Sequence, residues 1–322
     1  MGLYLSQRVF QSAVVLLIMS FVVYSLIGLM PGDPIDIMLA ANPEAGPEDA
    51  ARLRAIYGLD RPLYIRYFSW LDAVLHGDFG YSRLFNQPVL DILMPRLWST
   101  VTLMSVSISF AVIIALPLGI KAAQKPHGLA DNFINLFCFA GISIPQFWLA
   151  LLFITLFAVT LGWLPASGTG NTGNVSTSIQ LSHLILPVLT LTTASIANYT
   201  RHIRSAMIEA LQGEHIRTAR AKGCSEFRVV WLHALQNALL PFITIIALDF
   251  GTLFGGALIT ETMFAWPGMG KMIYDAIMGN DFNLALIGLL FVTLMILIGN
   301  FCADLAYSFL DPRISLKDKL DG

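Results

Sequence analysis

Long apolar stretches without charge dominate this chain, and they set its architecture. A helix needs about 20 apolar residues to cross the hydrocarbon core of a bilayer. By that measure the pattern predicts an all-α membrane protein with six transmembrane helices, near 9–30, 97–120, 132–162, 184–204, 238–260 and 284–308. The stretch 132–200 is free of charge but too long for one helix, and Leu164-Pro-Ala-Ser-Gly-Thr-Gly-Asn-Thr-Gly-Asn174 divides it with turn formers. The first apolar run follows Arg8 and invites comparison with a secretory leader. It is longer than a typical leader core, and Gly28-Leu-Met-Pro31 is a poor cleavage site, so it is expected to stay as the first span.

Between the first two spans lies a polar stretch, 31–96, that carries its own helical signals. Pro47 to Tyr57 opens with Pro and acids and is stopped by Gly58; Pro62 to Leu75 repeats the pattern and is stopped by Gly77. Tyr64, Tyr67, Phe68 and Trp70 suit either the membrane–water interface or a small cap that packs on itself. The chain is therefore divided into 1–30 (first span), 31–96 (helical loop domain), 97–310 (five spans with an intervening loop at 205–237) and a tail at 311–322.

Charge then orients the spans. With the N-terminus inside, the inner segments hold Arg8, Lys121, Lys125, Arg201, Arg204, Arg217, Arg220, Lys222, Arg228, Arg313, Lys317 and Lys319. The outer segments hold Arg52, Arg54, Arg61, Arg66, Arg83, Arg96 and Lys271, all but the last in the long loop, where basic residues count weakly. Both termini are expected in the cytoplasm. Composition agrees with a bilayer solvent: 56% of residues are hydrophobic and 12% charged, about half the usual charge of a soluble domain, and mean hydropathy is +0.69. A net charge of -2 argues against nucleic acid as a partner. Cys138, Cys224 and Cys302 have no near neighbours and suggest neither disulfides nor zinc.

Enzyme signatures are missing. Gly268-Met-Gly-Lys271 lacks the upstream glycine spacing and the following Ser or Thr of a Walker sequence, and there is no H-E-x-x-H or G-x-S-x-G. The six histidines show no ligand spacing on one helix face. Neither a catalytic residue nor a metal site is expected, and an intramembrane hydrolase has no support.

The most informative segment lies between the fourth and fifth spans: Glu214-His-Ile-Arg-Thr-Ala-Arg-Ala-Lys-Gly223, followed by a run ending in Leu240-Pro241. Ile216 to Lys222 can form a short helix with a basic side made by Arg217, Arg220 and Lys222, closed by Gly223. Ala219, Ala221 and Gly223 would let a partner backbone approach closely. Such a helix could carry force from a cytoplasmic protein to the spans, or rest on anionic lipid.

Here the sequence resembles a family, the oligopeptide/dipeptide/nickel group of ABC importer permeases. Arg217-Thr218-Ala219 stands where the general pattern has Glu-Ala-Ala, and Leu240-Pro241 falls later than in sugar importers; both departures resemble the peptide group. Similar motifs run through the chain in order: Pro31-Gly-Asp-Pro34, Tyr57-Gly-Leu-Asp-Arg-Pro-Leu63, Gly77-Asp-Phe-Gly-Tyr-Ser82, Ser143-Ile-Pro-Gln-Phe-Trp148, Trp163-Leu-Pro-Ala-Ser-Gly168, Glu261-Thr-Met-Phe-Ala-Trp-Pro-Gly-Met-Gly270 and Asp311-Pro-Arg313. The long loop after the first span resembles the first permease of the pair.

The resemblance implies the fold of a type I ABC importer permease in a bacterial cytoplasmic (inner) membrane. It implies four kinds of partner: a second homologous permease, two cytoplasmic ATPases, a periplasmic or lipid-anchored solute-binding protein, and membrane lipid. This chain would bind no cofactor, ATP and Mg being held by the ATPases. Ile216, Arg217, Thr218, Ala219, Arg220, Ala221, Lys222 and Gly223 would couple it to an ATPase. Glu261, Trp266, Pro267 and Gly268 would belong to an outer loop at the solute entrance or to a cap over the last two spans. The solute would be a peptide, or a nickel chelate, glutathione or an opine; an ATP-independent channel or transporter is the alternative class.

Single residues add to this. Asp249 falls near the middle of the fifth span, where a charge costs about 2.5–3.5 kcal/mol. It should face a solute cavity or a partner subunit. Asp304, a turn from the end of the last span, is expected to be structural. Pro117, Pro145, Pro187 and Pro241 are expected to interrupt, end or kink spans.

Overall fold

The computed structural model describes residues 2–29, 60–169 and 181–310. The first loop helix expected at Pro47–Tyr57, the motif Pro31–Pro34 and the tail 311–322 lie outside the described residues. Helices α1 (Gly2–Ile27), α2 (Leu63–Leu75) and α3 (Val89–Gln124) come first, with a two-residue hairpin, β1 (Tyr81–Ser82) against β2 (Gln87–Pro88), between α2 and α3. Then follow α4 (Leu129–Ser143) and α5 (Gln146–Phe153), the latter prolonged by a π-helical turn at Ile154–Thr160. α6 (Leu181–Leu211), α7 (Glu214–Ala221) and α8 (Glu226–Arg228) lead through a second π-helical turn, Val229–Ala234, into α9 (Leu235–Met263). α10 (Met269–Met278) and α11 (Phe282–Leu310) close the chain.

Five helical segments are long and apolar enough to cross a membrane: Ser6–Ile27, Val89–Gln124, Leu181–Leu211, Glu226–Asp249 and Phe282–Leu305. The third expected span is not a rod. It is the pair α4 and α5, bent by 97° across Ile144-Pro145. Pro145 has no N–H to continue the helix, and its ring forces Ile144 into an extended conformation, φ -83° and ψ 122°. Pro117, Pro187 and Pro241 instead lie inside continuous helices, contrary to the expectation that they interrupt or end spans. The chain is thus a multi-pass helical membrane protein.

The described residues form two compact units, one of 98–169 and 181–271 with 2–3 and 295–310, the other of 4–29, 60–97 and 272–294. In the second, Val23 and Ile27 of α1, Val89, Ile92 and Leu93 of α3, Met272 and Ile273 of α10 and Leu284 to Ile287 of α11 share one buried core. α2 rests on α1. Tyr67 is 2% exposed and donates to or accepts from Ser20 Oγ at 2.7 Å, while its ring meets Phe21 and Tyr24 edge-on. Tyr64 and Phe68 stay exposed. The aromatics of this segment therefore divide between its own packing and its surface.

The hairpin is clasped to the turn before α11. Asp281, 2% exposed, caps α11 through Leu284 N (3.2 Å) and also accepts from Ser82 Oγ (2.5 Å) and Leu84 N (3.0 Å). Arg83 donates to Gly279 O and Asn283 Nδ2 to Tyr81 O. Asp281→Ala is expected to free the hairpin at a cost of about 2–3 kcal/mol, since three donors lose one buried carboxylate. Amide hydrogen exchange at 81–88 in the purified protein should rise by about 30-fold or more if that cost is met; unchanged exchange would refute the clasp.

In the first unit, spans approach closely where side chains are smallest. A Cβ on Gly119 of α3 would lie 2.6 Å from Ile203 Cγ2 of α6, and one on Gly141 of α4 would lie 3.3 Å from Thr193 O. Three of the hydroxyls that lower the hydropathy of α6 are satisfied within it: Thr190, Thr192 and Thr193 donate to Leu186 O, Val188 O and Leu189 O. Backbone acceptors one turn back remove the cost of burying these groups.

Candidate functional site

The loop between α6 and α9 folds as the sequence predicts in outline, with a difference in how α7 is seated. Gly213 opens α7, Lys222 caps it, and Gly223 turns the chain away with φ +79°, a conformation open to glycine at little cost. Ile216 (0% exposed) and Ala219 (7% exposed) point into the chain's own core beside Met207 and Ala210 of α6, Val229, Val230 and Ala234 of the π-helical turn, and Ala238 of α9. Ala219 therefore brings α7 close to its own spans and is not available to an outside backbone. Arg217, Ala221, Lys222 and Gly223 lie on the exposed side, as does Thr218, which donates to Glu214 O.

Two carboxylates organise the basic side. Arg217 pairs with Glu214 (2.8 Å), an exposed pair. Arg220 donates in two-pronged fashion to Glu226 at 2.8 and 3.1 Å, which joins the end of α7 to the start of α8 across the Gly223 turn. The Glu226 carboxylate holds the Arg220 guanidinium pKa above its ordinary value. Glu226 went unnoticed in the sequence reading; its spacing of six from Arg220 across a glycine was the available signal. Beyond it, Phe227 and Trp231 stack at 6.1 Å with both rings exposed, and with Gln124, Leu211 and Val230 they line a groove of about 250 Å³.

The segment from Glu261 to Gly270 is a closed knot. Glu261 is fully buried; its carboxylate accepts from Thr100 Oγ1 (2.6 Å) and Lys271 N (3.0 Å), and Thr100 Oγ1 accepts in turn from Met269 N (2.8 Å). Trp266 is fully buried among Leu103, Leu184, Val188 and Leu191, with its Nε1 donating to Ser99 O at 3.3 Å. Gly268 lies against the Glu261 carboxyl so closely that a Cβ would meet Oε1 at 2.0 Å. Pro267 is half-buried. Glu261, Trp266 and Gly268 consequently face inward, into the chain's own packing. Their polar groups are already met by the chain, which is what buried polar atoms require. Thr100, the hub of the knot, carried no sequence signal beyond its place at the start of a span.

Asp249 is half-buried on α9, beside Tyr199 and His202 of α6. It is not brought together with the Glu261 knot by any described contact. Asp304 is half-buried on α11.

A pair that sequence reading missed lies between α4 and α6. Asp131, 1% exposed, accepts from Arg204 Nε (2.5 Å) and Arg204 Nη2 (2.7 Å), from His127 N (2.8 Å) and from Asn135 Nδ2 (2.6 Å). His127, at φ +63°, forms the turn from α3 that brings its N–H round to this carboxylate.

Comparison with known proteins places these features. Residues 115–316 match the family described as "Binding-protein-dependent transport system inner membrane component", and residues 1–104 match the N-terminal component of the same system. The oligopeptide transport system permease protein AppB of Bacillus subtilis is 37% identical over 317 residues, covering 98% of this chain and 99% of that one. The dipeptide transport system permease protein DppB of Escherichia coli K12 is 36% identical over 318 residues, covering 91% and 93%. Among solved structures, the inward-facing MetNI methionine ABC transporter has a TM-score of 0.56 over 70% of this chain and 98% of its own, at 19% identity, a likeness of fold. With the family match extending over more than half of the chain and the relatives over nearly all of it, the protein belongs to the inner-membrane components of binding-protein-dependent transport systems, the permeases of ABC importers.

Proposed function

We propose that this chain is the first of two homologous permeases in an ATP-driven importer of dipeptides and oligopeptides. The observation that carries this is the near-full-length likeness to AppB and DppB, whose names specify oligopeptide and dipeptide transport. In this reading six spans, with α4 and α5 counted as one, lie in the bacterial inner membrane with both termini in the cytoplasm. A second permease completes the path, a periplasmic or lipid-anchored binding protein delivers the peptide, and two cytoplasmic ATPases bind ATP and Mg. α7 docks on one of them: Ile216 and Ala219 hold it to the spans, and Arg217, Arg220 and Lys222 face outward. Closure of the ATPases then moves α7 and, through that shared core, α3, α6 and α9. Asp249, in a span, faces the path or the second permease, because a carboxyl in lipid is costly.

The test is charge reversal in the assembled transporter. Arg217→Glu together with Arg220→Glu sets each side chain against the carboxylate it now pairs with and reverses the outer face of α7. Uptake of a labelled dipeptide is expected to fall by about tenfold or more, with loss of the ATPases on purification of the tagged permease, as for interface charges elsewhere. Normal assembly and uptake would refute the docking role. A reconstituted complex that moves a nickel chelate but no peptide would refute the solute.

A further inference from the structure

α7 is tied to the rest of the chain at both ends, by different means. Near its start Ile216 is fully buried in a core shared with Val229, Val230 and Ala234, and Asn237 Nδ2 of α9 lies 3.2 Å from His215 Nε2. Ala219 is buried in the same core. Residues 216 and 219 are three apart, so this apolar attachment occupies a stripe only about 4.5 Å long. A stripe that short resists withdrawal of α7 from the spans. It resists much less a swing of the far end of the helix.

The far end leads into a turn with no steric lock, since a Cβ on Gly223 would have no neighbour within 4 Å. Gly223 N donates to Arg220 O (2.9 Å) and Cys224 N to Ala219 O (3.1 Å), which ends α7; Val229 N donates to Ser225 O (2.9 Å), which opens α8. None of these bonds joins α7 to α8. The Arg220 side chain does, through Nε and Nη2 to the two oxygens of Glu226 at 2.8 and 3.1 Å. Two parallel bonds from a planar guanidinium fix direction as well as distance. Arg220 stands about 100° round α7 from Ala219, so the link lies off the apolar stripe and opposes the swing that the stripe permits. Gln124 at the end of α3 and Leu211 at the end of α6 line the same groove as the pair, which therefore sits where the inner ends of several helices meet. Arg217 offers no such link, because it pairs with Glu214 of α7 itself.

We propose that Arg220 and Glu226 are positioning residues that pass the movement of α7 to the fifth span. The pair fixes the angle between α7 and α8, and α8 continues through the π-helical turn into α9. Arg220 then acts through Glu226, its charge answered inside the chain, rather than as an ion-pair partner of an ATPase. This role rests on the docking of α7 described under the proposed function and adds the route by which a docked α7 moves a span. It does not depend on which solute the transporter carries.

The test is amide hydrogen exchange at 229–240 in the permease purified with its second permease and ATPases, measured with and without ATP and Mg. In the wild type, exchange there is expected to change when ATP is added. Arg220→Gln and Glu226→Gln alter side chains that are 47% and 67% exposed. Each should keep the ATPases bound and reduce the ATP-dependent change about two- to fivefold, the range of one well-formed surface ion pair. The exchanged pair, Arg220→Glu with Glu226→Arg, should restore most of the change. Arg220→Lys, which keeps the charge but not the two parallel bonds, should fall between Arg220→Gln and the wild type. An exchanged pair no better than the single variants would overturn the proposal. So would a full response in Glu226→Gln, or no response in the wild type. Loss of the ATPases from Arg220→Gln but not from Glu226→Gln would also overturn it, by assigning Arg220 to the ATPase surface. The docking of α7 is read separately, by co-purification of the ATPases with the Arg217→Glu, Arg220→Glu permease, so the two claims fail on different measurements.

Discussion

Replacing Gly268 with alanine is expected to cost about 3 kcal/mol or more and to lower the yield of folded protein sharply. The added methyl would lie 2.0 Å from Glu261 Oε1 and 2.2 Å from its Cδ, so the carboxyl must move. The Glu261 carboxylate is held by Thr100 Oγ1 and Lys271 N, and Thr100 in turn holds Met269 N, so one displacement disconnects the end of α9, the start of α10 and the first third of α3. The measurement is thermal unfolding of the detergent-solubilised protein, followed by size-exclusion chromatography after heating. A double cycle with Thr100→Val separates steric displacement from loss of the network: the two substitutions should be strongly non-additive. A Gly268→Ala protein with wild-type thermal stability would show that the knot does not hold this part of the fold.

Removing the carboxylate of Asp131 should be as damaging. Asp131→Ala leaves the Arg204 guanidinium, 22% exposed, without its counter-charge and strips His127 N and Asn135 of an acceptor. Breaking a buried ion pair from one side costs about 3–5 kcal/mol, most of it the stranded charge. The double substitution Asp131→Ala, Arg204→Leu removes that charge and is expected to recover much of the loss. Equal instability of the single and double variants would point to the backbone turn at His127, rather than the ion pair, as the important contact.

The legible parts of this chain were those where one physical rule acts alone. Apolar length found the spans, and Gly77 and Gly223 found the ends of α2 and α7 because positive φ is a local demand. The 97° break at Pro145 was expected only as one of four, because Pro117, Pro187 and Pro241 carry the same local penalty inside unbroken helices; tertiary packing decides which proline breaks its helix. The buried polar contacts were the least legible. Glu261 and Thr100 are 161 positions apart, and Asp131 and Arg204 are 73 apart, so no window along the sequence joins them. In the same way the Pro-Gly neighbours of Trp266 left an entrance loop and a cap equally open in the sequence, whereas its indole fills a core built from α3 and α6.

The bend at Pro145 bears on how the protein is made. α4 has 15 residues and so a length of about 22 Å, short of the roughly 30 Å of hydrocarbon. α5 with its π-helical turn is no longer, and at 97° neither arm extends the other across the bilayer. The pair lacks the geometry to partition into lipid as one rod when it leaves the ribosome. Its packing partner, α6, which receives Gly141 of α4 against Thr193 and Ala197, is synthesised afterwards. The contact that seats the bent pair thus forms only after the fourth hydrophobic segment has been made.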